Sequence, residues 1–308
     1  MTENWIATRL AAGLLTFIFF AAASFAAPQK PNPQKHDVTG LLLAVDPARR
    51  TITVSCREIP GYMEAMVMSF QVKDSALPDS LKPGAMVDFT LIVDHDASYA
   101  EGVKVRPFES LELDPTEARR LKLVENASSA QPPSADVLHT GDSVPDFRLN
   151  DQNREPVSLS QFRGKIVAMT FVYTRCPLPD YCVRLSNNFG VLQRRFKSRM
   201  GHDVVLLTVV IDPVHDQPAE LNSYARTWNA DSRSWHFLSG PVTDIQRICR
   251  TFDMAFYPDE GLFVHSFHTV VIGRSGRLAA NLDGNNFTAQ QLGDLIQVLA
   301  AQGTGSKE

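Results

Sequence analysis

The chain has 308 residues, of which 44% are hydrophobic and 21% charged, with a formal net charge of −4. At about 100–200 residues per domain the length allows two domains, and the composition is that of a folded soluble protein rather than a disordered one. A slightly acidic balance excludes a basic surface large enough for nucleic acid and names no partner by charge.

The first element in the chain is apolar. Residues 10–23 form a nearly unbroken hydrophobic run, preceded by Arg9 and followed by Ser24-Phe25-Ala26-Ala27-Pro28. Such a run ending in small residues reads as a secretory signal peptide, residues 1–27, and is short of the roughly 20 apolar residues of a membrane span. Trp5 and Ile6 extend the stretch, so an uncleaved anchor holding the protein to a membrane is the alternative. Either way the protein is expected to be periplasmic or exported, in an oxidising compartment if the cell is a Gram-negative bacterium. Residues 29–35 then form a short polar tether.

Residues 37–113 read as all-β. Stretches 39–45, 51–55, 67–72, 86–93 and 102–107 are strand candidates, with Asp46-Pro47-Ala48-Arg49-Arg50 and Lys82-Pro83-Gly84 as turns. Five short strands in so few residues suggest a small barrel or sandwich. Residues 114–138 change character: 115–125 reads as a short charged helix, and 126–135 has the Ser, Ala and Pro content of a flexible linker.

From 139 to 303, strands alternate with helices. Residues 165–173 and 203–211 are continuous apolar strands of the kind buried on both faces. Helical spacing covers 185–198, 218–228, 242–252 and 288–301, a short strand 235–238, and a hairpin 268–274/277–282 turns at Ser275-Gly276. The order fits a central mixed sheet covered on both faces.

Two of the four cysteines bracket the segment Cys176-Pro177-Leu178-Pro179-Asp180-Tyr181-Cys182, directly after the first buried strand. The C-terminal ends of central strands are where open α/β sheets place their sites. The two prolines stiffen the loop. The helix that follows presents its N-terminus to the second sulfur, which predicts that Cys182 favours the thiolate. Two thiolates form a soft site selecting Cu(I) or Zn, and an added imidazole also accommodates Cu(II). His265 and His268 are the candidate imidazoles. Three apart in a strand, they face opposite sides, and His265 at the loop end is preferred. Two cysteines this close in an exported protein also read as a plain disulfide.

Gly141-Asp142-Ser143-Val144-Pro145-Asp146-Phe147 and Phe162-Arg163-Gly164-Lys165 resemble the opening of thioredoxin-like proteins of the peroxiredoxin and Sco branches. Phe171-Val172-Tyr173-Thr174-Arg175-Cys176-Pro177, Ile211-Asp212-Pro213 with Asp216-Gln217-Pro218, and His265-Ser266 before Thr269-Val270-Val271-Ile272 narrow the resemblance to the Sco/SenC family. It covers roughly 139–302 and implies a thioredoxin-like fold. It also implies copper held by Cys176, Cys182 and His265, and a role in assembling the binuclear copper centre of cytochrome c oxidase. The family loop usually has three residues between its cysteines, where this chain has five.

A thiol-disulfide reductase using Cys176 and Cys182 is the rival reading. Such enzymes use Cys-x-x-Cys and a cis-proline, and 263–267 contains no proline.

In the first domain, Met63, Met66 and Met68 fall within six residues, and Met66 and Met68 share one face of a strand. Thioethers are neutral soft donors suited to Cu(I), although methionines also fill gaps in small cores. Residues 38–107 resemble the small periplasmic CusF-like copper-binding barrel, an OB-like fold with a Met-x-Met pair, an upstream histidine and a capping aromatic ring. That resemblance implies a site at Met66 and Met68, with Cys56 at the histidine position and Met63 near the aromatic one, beside Tyr62. Cys56 could instead be a reactive thiol or bond to another chain, and Cys249 reads as an inert buried residue.

The combined expectation is an α/β thioredoxin-like domain preceded by a small all-β barrel, exported, carrying copper at two sites. Its partner would be a copper-accepting protein such as a cytochrome c oxidase subunit, its work that of a metallochaperone rather than an enzyme. Passive sequestration of copper is a third, weaker reading.

Overall fold

Leu41-Leu42-Leu43 explains how the chain is built. In a strand, successive side chains point to opposite faces, so three consecutive leucines, all essentially inaccessible to water, require apolar cover on both sides of strand β1 (Gln34–Asp46). In the computed structural model, which describes residues 33–74, 77–94, 97–108, 119, 123, 137–254, 256–259 and 262–302, both covers are present. The expected signal segment lies outside these residues, as does the expected linker apart from 119, 123, 137 and 138.

On the inner side, β1 joins β2 (Thr51–Cys56), β3 (Met66–Val72), β4 (Met86–Asp94) and β5 (Ala97–Val105) in a closed barrel of order β1-β2-β3-β5-β4. The barrel or sandwich expectation thus resolves to a barrel. Its interior is filled by Val38, Leu42, Ile52, Val54, Phe70, Val87, Phe89 and Leu91. Two boundaries differ from expectation. β1 begins at Gln34, inside the expected tether, because pairing with β4 extends to Gln34 opposite Val93. β5 starts at Ala97, because pairing continues to Asp94 opposite Ala97. At Gly40, β1 passes so close to β2 that a Cβ would lie 2.4 Å from Val54 Cγ1 and 2.7 Å from the Ser55 carbonyl oxygen. Glycine permits that approach.

On its outer side β1 meets the second part. Two short strands, β6 (Arg148–Asn150) and β7 (Pro156–Ser158), pair as a small hairpin. They are followed by β8 (Ile166–Val172), α1 (Arg184–Arg195), β9 (Val204–Val210), α2 (Pro218–Thr227), β10 (Trp235–Leu238) and α3 (Val242–Thr251). Next come β11 (Phe256–Asp259), β12 (Leu262–His265), β13 (His268–Ile272), β14 (Leu278–Asp283) and α4 (Ala289–Gln302). The main sheet has the order β10-β9-β8-β13-β14. β8, β9 and β10 run parallel, while β13 is antiparallel to both β8 and β14. This is the expected mixed sheet. β8 and β9 are buried along their full lengths, as strands covered on both faces must be. The β11–β12 hairpin was not foreseen. It carries His265 at its end and pairs that residue with Phe256.

The barrel and the α/β body share a core. Leu41, Leu43 and Met86, which face out of the barrel, belong to the same apolar cluster as Ala280, Leu282, Leu292 and Ile296 of the body. Polar contacts frame this seam. Ser55 Oγ donates to Asp294 Oδ2 at 2.7 Å, Gln291 Nε2 donates to the Ser55 carbonyl at 3.0 Å, and Arg57 Nη2 donates to the Asn286 carbonyl at 2.6 Å. Among the described residues no helix is long and apolar enough to cross a membrane.

Candidate metal centres

The first centre is assembled by two loops at the C-terminal end of β8. The cysteine loop leaves β8 at Tyr173-Thr174-Arg175 and closes with one π-helical turn, Pro179–Val183, before α1. Asp216, wholly buried, anchors its start: Thr174 donates to it through the backbone N–H at 3.1 Å and through the hydroxyl at 2.5 Å. Burial raises the Asp216 carboxyl above the usual range, an effect that the Thr174 hydrogen bonds partly offset. Next to it, Arg175 donates to Asp212 at 2.6 Å, and His215 Nδ1 lies 2.9 Å from the other oxygen. Burial works to raise the Asp212 carboxyl, but these two partners outweigh it and hold it low.

The middle of the loop is held from the other side. Asn285 Nδ2 donates to the Asp180 carbonyl at 2.7 Å, and the Tyr181 ring stacks on Phe267 with centroids 4.8 Å apart and planes 5° apart. Phe267 in turn packs against the His265 ring at 4.7 Å. The five-residue spacing is therefore filled by an ordered clamp, with Tyr181 joining the cysteine loop to the histidine loop. Replacing Asn285 by alanine removes a hydrogen bond of about 1 kcal/mol. The expected result is labelling of native Cys182 by iodoacetamide roughly fivefold faster, read by mass spectrometry.

All four cysteines carry free thiols. Cys182 Sγ lies 3.9 Å from His265 Nε2, although 83 positions separate them in sequence. His265 Nδ1 is 2.8 Å from the Ser266 carbonyl oxygen. That carbonyl can only accept, so the proton sits on Nδ1 and the Nε2 lone pair faces the sulfur. Burial pushes the His265 imidazole down to about 4, which keeps it neutral and available as a donor. His268, by contrast, bonds Asn281 Oδ1 through Nδ1 at 3.0 Å and does not join the pair; the two histidines end β12 and begin β13 instead of alternating along one strand as expected.

The two thiols divide their chemistry. A hydrogen bond from Cys182 is the largest cause of a Cys176 thiol lowered to about 6, helped by the Leu178 backbone and the Tyr173 hydroxyl. Cys182 is raised well above its usual value, first by complete burial and then by Cys176. The expectation that Cys182 would be the thiolate is thus corrected. α1 begins only at Arg184, Cys182 sits within the apolar turn before it, and desolvation outweighs the helix dipole. Cys176, half-buried, is the thiolate. Among the described residues no three His, Cys, Asp or Glu side chains form a preassembled metal-holding group, so Cys182 and His265 are positioned together and Cys176 lies beside them through Cys182.

The second centre lies at one end of the barrel. Cys56 at the end of β2 is directly opposite Met66 at the start of β3, and Val54 opposite Met68. Directly opposed residues share a face, so Cys56, Met66 and Met68 form one row on the interior side. Cys56 is buried and its thiol is pushed up to about 12 by desolvation, which makes it unreactive as a free nucleophile. Met66 is 47% exposed at the rim. Met63 closes a tight turn with Ile59, the two exchanging backbone hydrogen bonds at 2.8 and 3.0 Å, and packs with Met68 against the barrel core. Cys56, Met66 and Met68 thus share the interior face toward one end of the barrel, and Met63 sits in the turn between their strands. Cys249 is fully buried in α3 and likewise pushed up to about 12 by desolvation, consistent with an inert role.

Sequence reasoning missed Tyr173, Asn285 and Tyr181. Asn285 lacks any local signature; Tyr173 and Tyr181 sat in view beside and between the cysteines, but the contact of Tyr173 with Cys176 and of Tyr181 with Phe267 could be matched only in the folded chain.

Comparison with known proteins follows the same division. Residues 136–300 match the family model described as SCO1/SenC, and residues 35–101 match the one described as copper binding periplasmic protein CusF. The SCO1 protein homolog of Bacillus subtilis is 23% identical over 145 residues, covering 46% of this chain and 74% of the relative. Protein sco1 of Schizosaccharomyces pombe is 26% identical over 160 residues, covering 49% of this chain and 58% of that protein. The crystal structure of yeast Sco1 with copper bound aligns over 56% of this chain and 97% of its own, with 23% identity and a TM-score of 0.44.

Proposed function

The chain belongs to the SCO1/SenC family, and on that premise we propose that it is an exported metallochaperone, binding copper as cargo through Cys176, Cys182 and His265 and passing it to a copper protein. The observation that carries the reading is the approach of His265 Nε2 to Cys182 Sγ at 3.9 Å. With metal–sulfur and metal–nitrogen lengths of roughly 2.3 and 2.0 Å, as at zinc, two donors in a trigonal arrangement stand roughly 3.7 Å apart. The pair is therefore spaced to share one ion with little movement, and a turn of the Cys176 side chain brings the third donor. Two sulfurs and a neutral imidazole suit Cu(I) and tolerate Cu(II).

The barrel adds a second soft site of Cys56, Met63, Met66 and Met68. The thioethers have no proton to lose, so any pH dependence of copper held there comes from Cys56, whose raised thiol must give up its proton to bind. Release from either site occurs by ligand exchange with donors of the receiving protein. A cytochrome c oxidase subunit is the receiver we favour, from the resemblance of the cysteine and histidine motifs to the Sco/SenC pattern. An N-terminal signal or anchor puts the protein on the outer side of the membrane in this reading.

Copper stoichiometry of the reduced full chain tests it. Two Cu(I) per chain are expected, falling to one when Cys176→Ser and Cys182→Ser are combined. A parent chain that retains no copper against a competing chelator would overturn the carrier reading. The lowered thiol of Cys176 favours one second reading, reduction of disulfides on a copper protein. In that case thiol exchange, not copper retention, would be the activity lost in the double serine variant.

A further inference from the structure

Phe108 stands where the barrel ends, and its ring is used by the body. The barrel sets the backbone just before it. After β5 the Arg106 N–H donates to the Met86 carbonyl at 2.8 Å, and Arg106 Nε donates to Asp88 Oδ2 at 2.8 Å. Pro107 fixes its own φ and restricts the backbone of Arg106, which narrows the direction in which the chain leaves the barrel. The Phe108 ring then packs against the apolar cluster that barrel and body share. It meets Phe267 edge to face, with centroids 6.0 Å apart and planes at 76°. A ring pair in this geometry contributes orientation as well as buried area.

Phe267 is the residue on which both metal loops rest. Tyr181 of the cysteine loop stacks on it, centroids 4.8 Å apart, and the His265 ring packs against it at 4.7 Å. The neighbouring backbone leaves room for Phe108. Gly284 has φ +78°, and a Cβ there would lie 2.2 Å from Phe108 Cδ2, so any side chain at 284 would displace the ring. The Gly284 N–H donates to the Phe267 carbonyl at 2.8 Å, and Asn285, the next residue, is the one that donates to the Asp180 carbonyl. Phe108 thus fills a notch made by Gly284 and Phe267. It also lines a cavity of about 540 Å³ at the seam, with Met86, Leu138 and Asp283 among the other walls. Truncating the ring adds to an existing void, so Phe267 loses a packing partner.

We propose that the barrel braces the copper centre of the body, with Phe108 as a positioning residue that holds Phe267 and, through it, the Tyr181 and His265 rings where Cys182 and His265 can share one ion. This rests on the Cys/Cys/His reading above and gives the barrel a second task, independent of any ion it carries. The brace has two links. Through Tyr181 it fixes the five-residue loop that ends in Cys182, and through His265 it fixes the ring plane from which Nε2 faces the sulfur.

The test uses the full chain carrying Met66→Leu and Met68→Leu, so that copper reports on the body. Cu(I) is titrated against bicinchoninate in that chain and with Phe108→Ala, Phe108→Leu, Phe108→Tyr or Asp294→Asn added. Phe108→Ala is expected to weaken Cu(I) binding about tenfold, the lower end for residues that support a ligand. Phe108→Leu, which keeps apolar volume without a ring edge, is expected to weaken it about threefold. Phe108→Tyr keeps the ring and is expected to bind as the background chain does. Asp294→Asn loosens the same seam through Ser55 and Arg195, and is expected to lower Tm without moving the affinity, which separates positioning from general loosening. X-ray absorption of the Cu(I)-loaded chains is expected to show imidazole outer-shell scattering that weakens in Phe108→Ala. Background-like affinity in the folded alanine variant, or in the leucine variant where alanine does not fold, would overturn the brace and leave the Cys/Cys/His reading standing. So would an equal loss in Asp294→Asn. A background chain that holds no copper would overturn that reading, and the brace with it.

Discussion

Replacing His265 by alanine will lower Cu(I) affinity at the cysteine pair by about 100-fold or more, since loss of an outer-shell partner alone costs 10–100-fold and His265 is a direct donor in the proposed set. Copper per reduced chain is then expected to fall from two to one under chelator competition, because the barrel site lies elsewhere. The two thiols should still oxidise and exchange at near-parent rates, since the Cys176 thiol owes its lowered value first to Cys182 and not to the histidine. This split separates carrier from exchanger. His265 is buried and packed between Tyr173 and Phe267, so the variant also leaves a cavity. A thermal melt shows whether the loss of copper exceeds what partial unfolding explains. Parent-like copper affinity in a folded His265→Ala chain would end the Cys/Cys/His reading.

The second large effect concerns the seam between barrel and body. Asp294 accepts from Ser55 Oγ at 2.7 Å on one oxygen and from Arg195 Nη2 at 2.6 Å on the other. Alanine there leaves a buried serine hydroxyl unpaired and takes the carboxylate from the arginine. Breaking a fully buried pair costs about 3–5 kcal/mol, but the Arg195 side chain is 28% exposed and keeps its bond to the Gln290 carbonyl at 2.8 Å. About 2–3 kcal/mol is therefore expected once solvent screening is allowed for. For a chain of this size that lowers Tm by roughly 3–5 °C, and calorimetry should show one transition because both parts share an apolar cluster. Asp294→Asn, which can still accept from Ser55, should cost about half as much. Two separate transitions in the parent would mean that the seam does not couple the parts.

Much of the architecture was legible because it follows from pattern. Alternation and turn residues in 39–107 gave five strands, and the continuous apolar runs at 166–172 and 204–210 could only be strands covered on both faces. The pairing of Cys182 with His265 was legible from the loop-end position of His265 and the family motif, but not the 3.9 Å approach itself, which depends on how two loops 83 positions apart fold together. The protonation of Cys182 was misread because a helix N-terminus is a local feature, whereas the burial that overrides it comes from distant residues. The shared core did have a signal. Leu41-Leu42-Leu43 breaks the alternation that a barrel strand with one wet face would keep, and the third leucine has no use unless something apolar lies outside the barrel.

That run of leucines also bears on how the two folds can be separated in the laboratory or in evolution. Cutting the gene between them would strip Leu41, Leu43 and Met86 of their cover and lay open the side of the body around Ala280 and Leu282. Each half would then carry a sticky face in water and tend to self-associate. The pair is better regarded as a single indivisible particle than as beads on a string, and swapping in another barrel would require re-cutting the contact surface as well as the ligands.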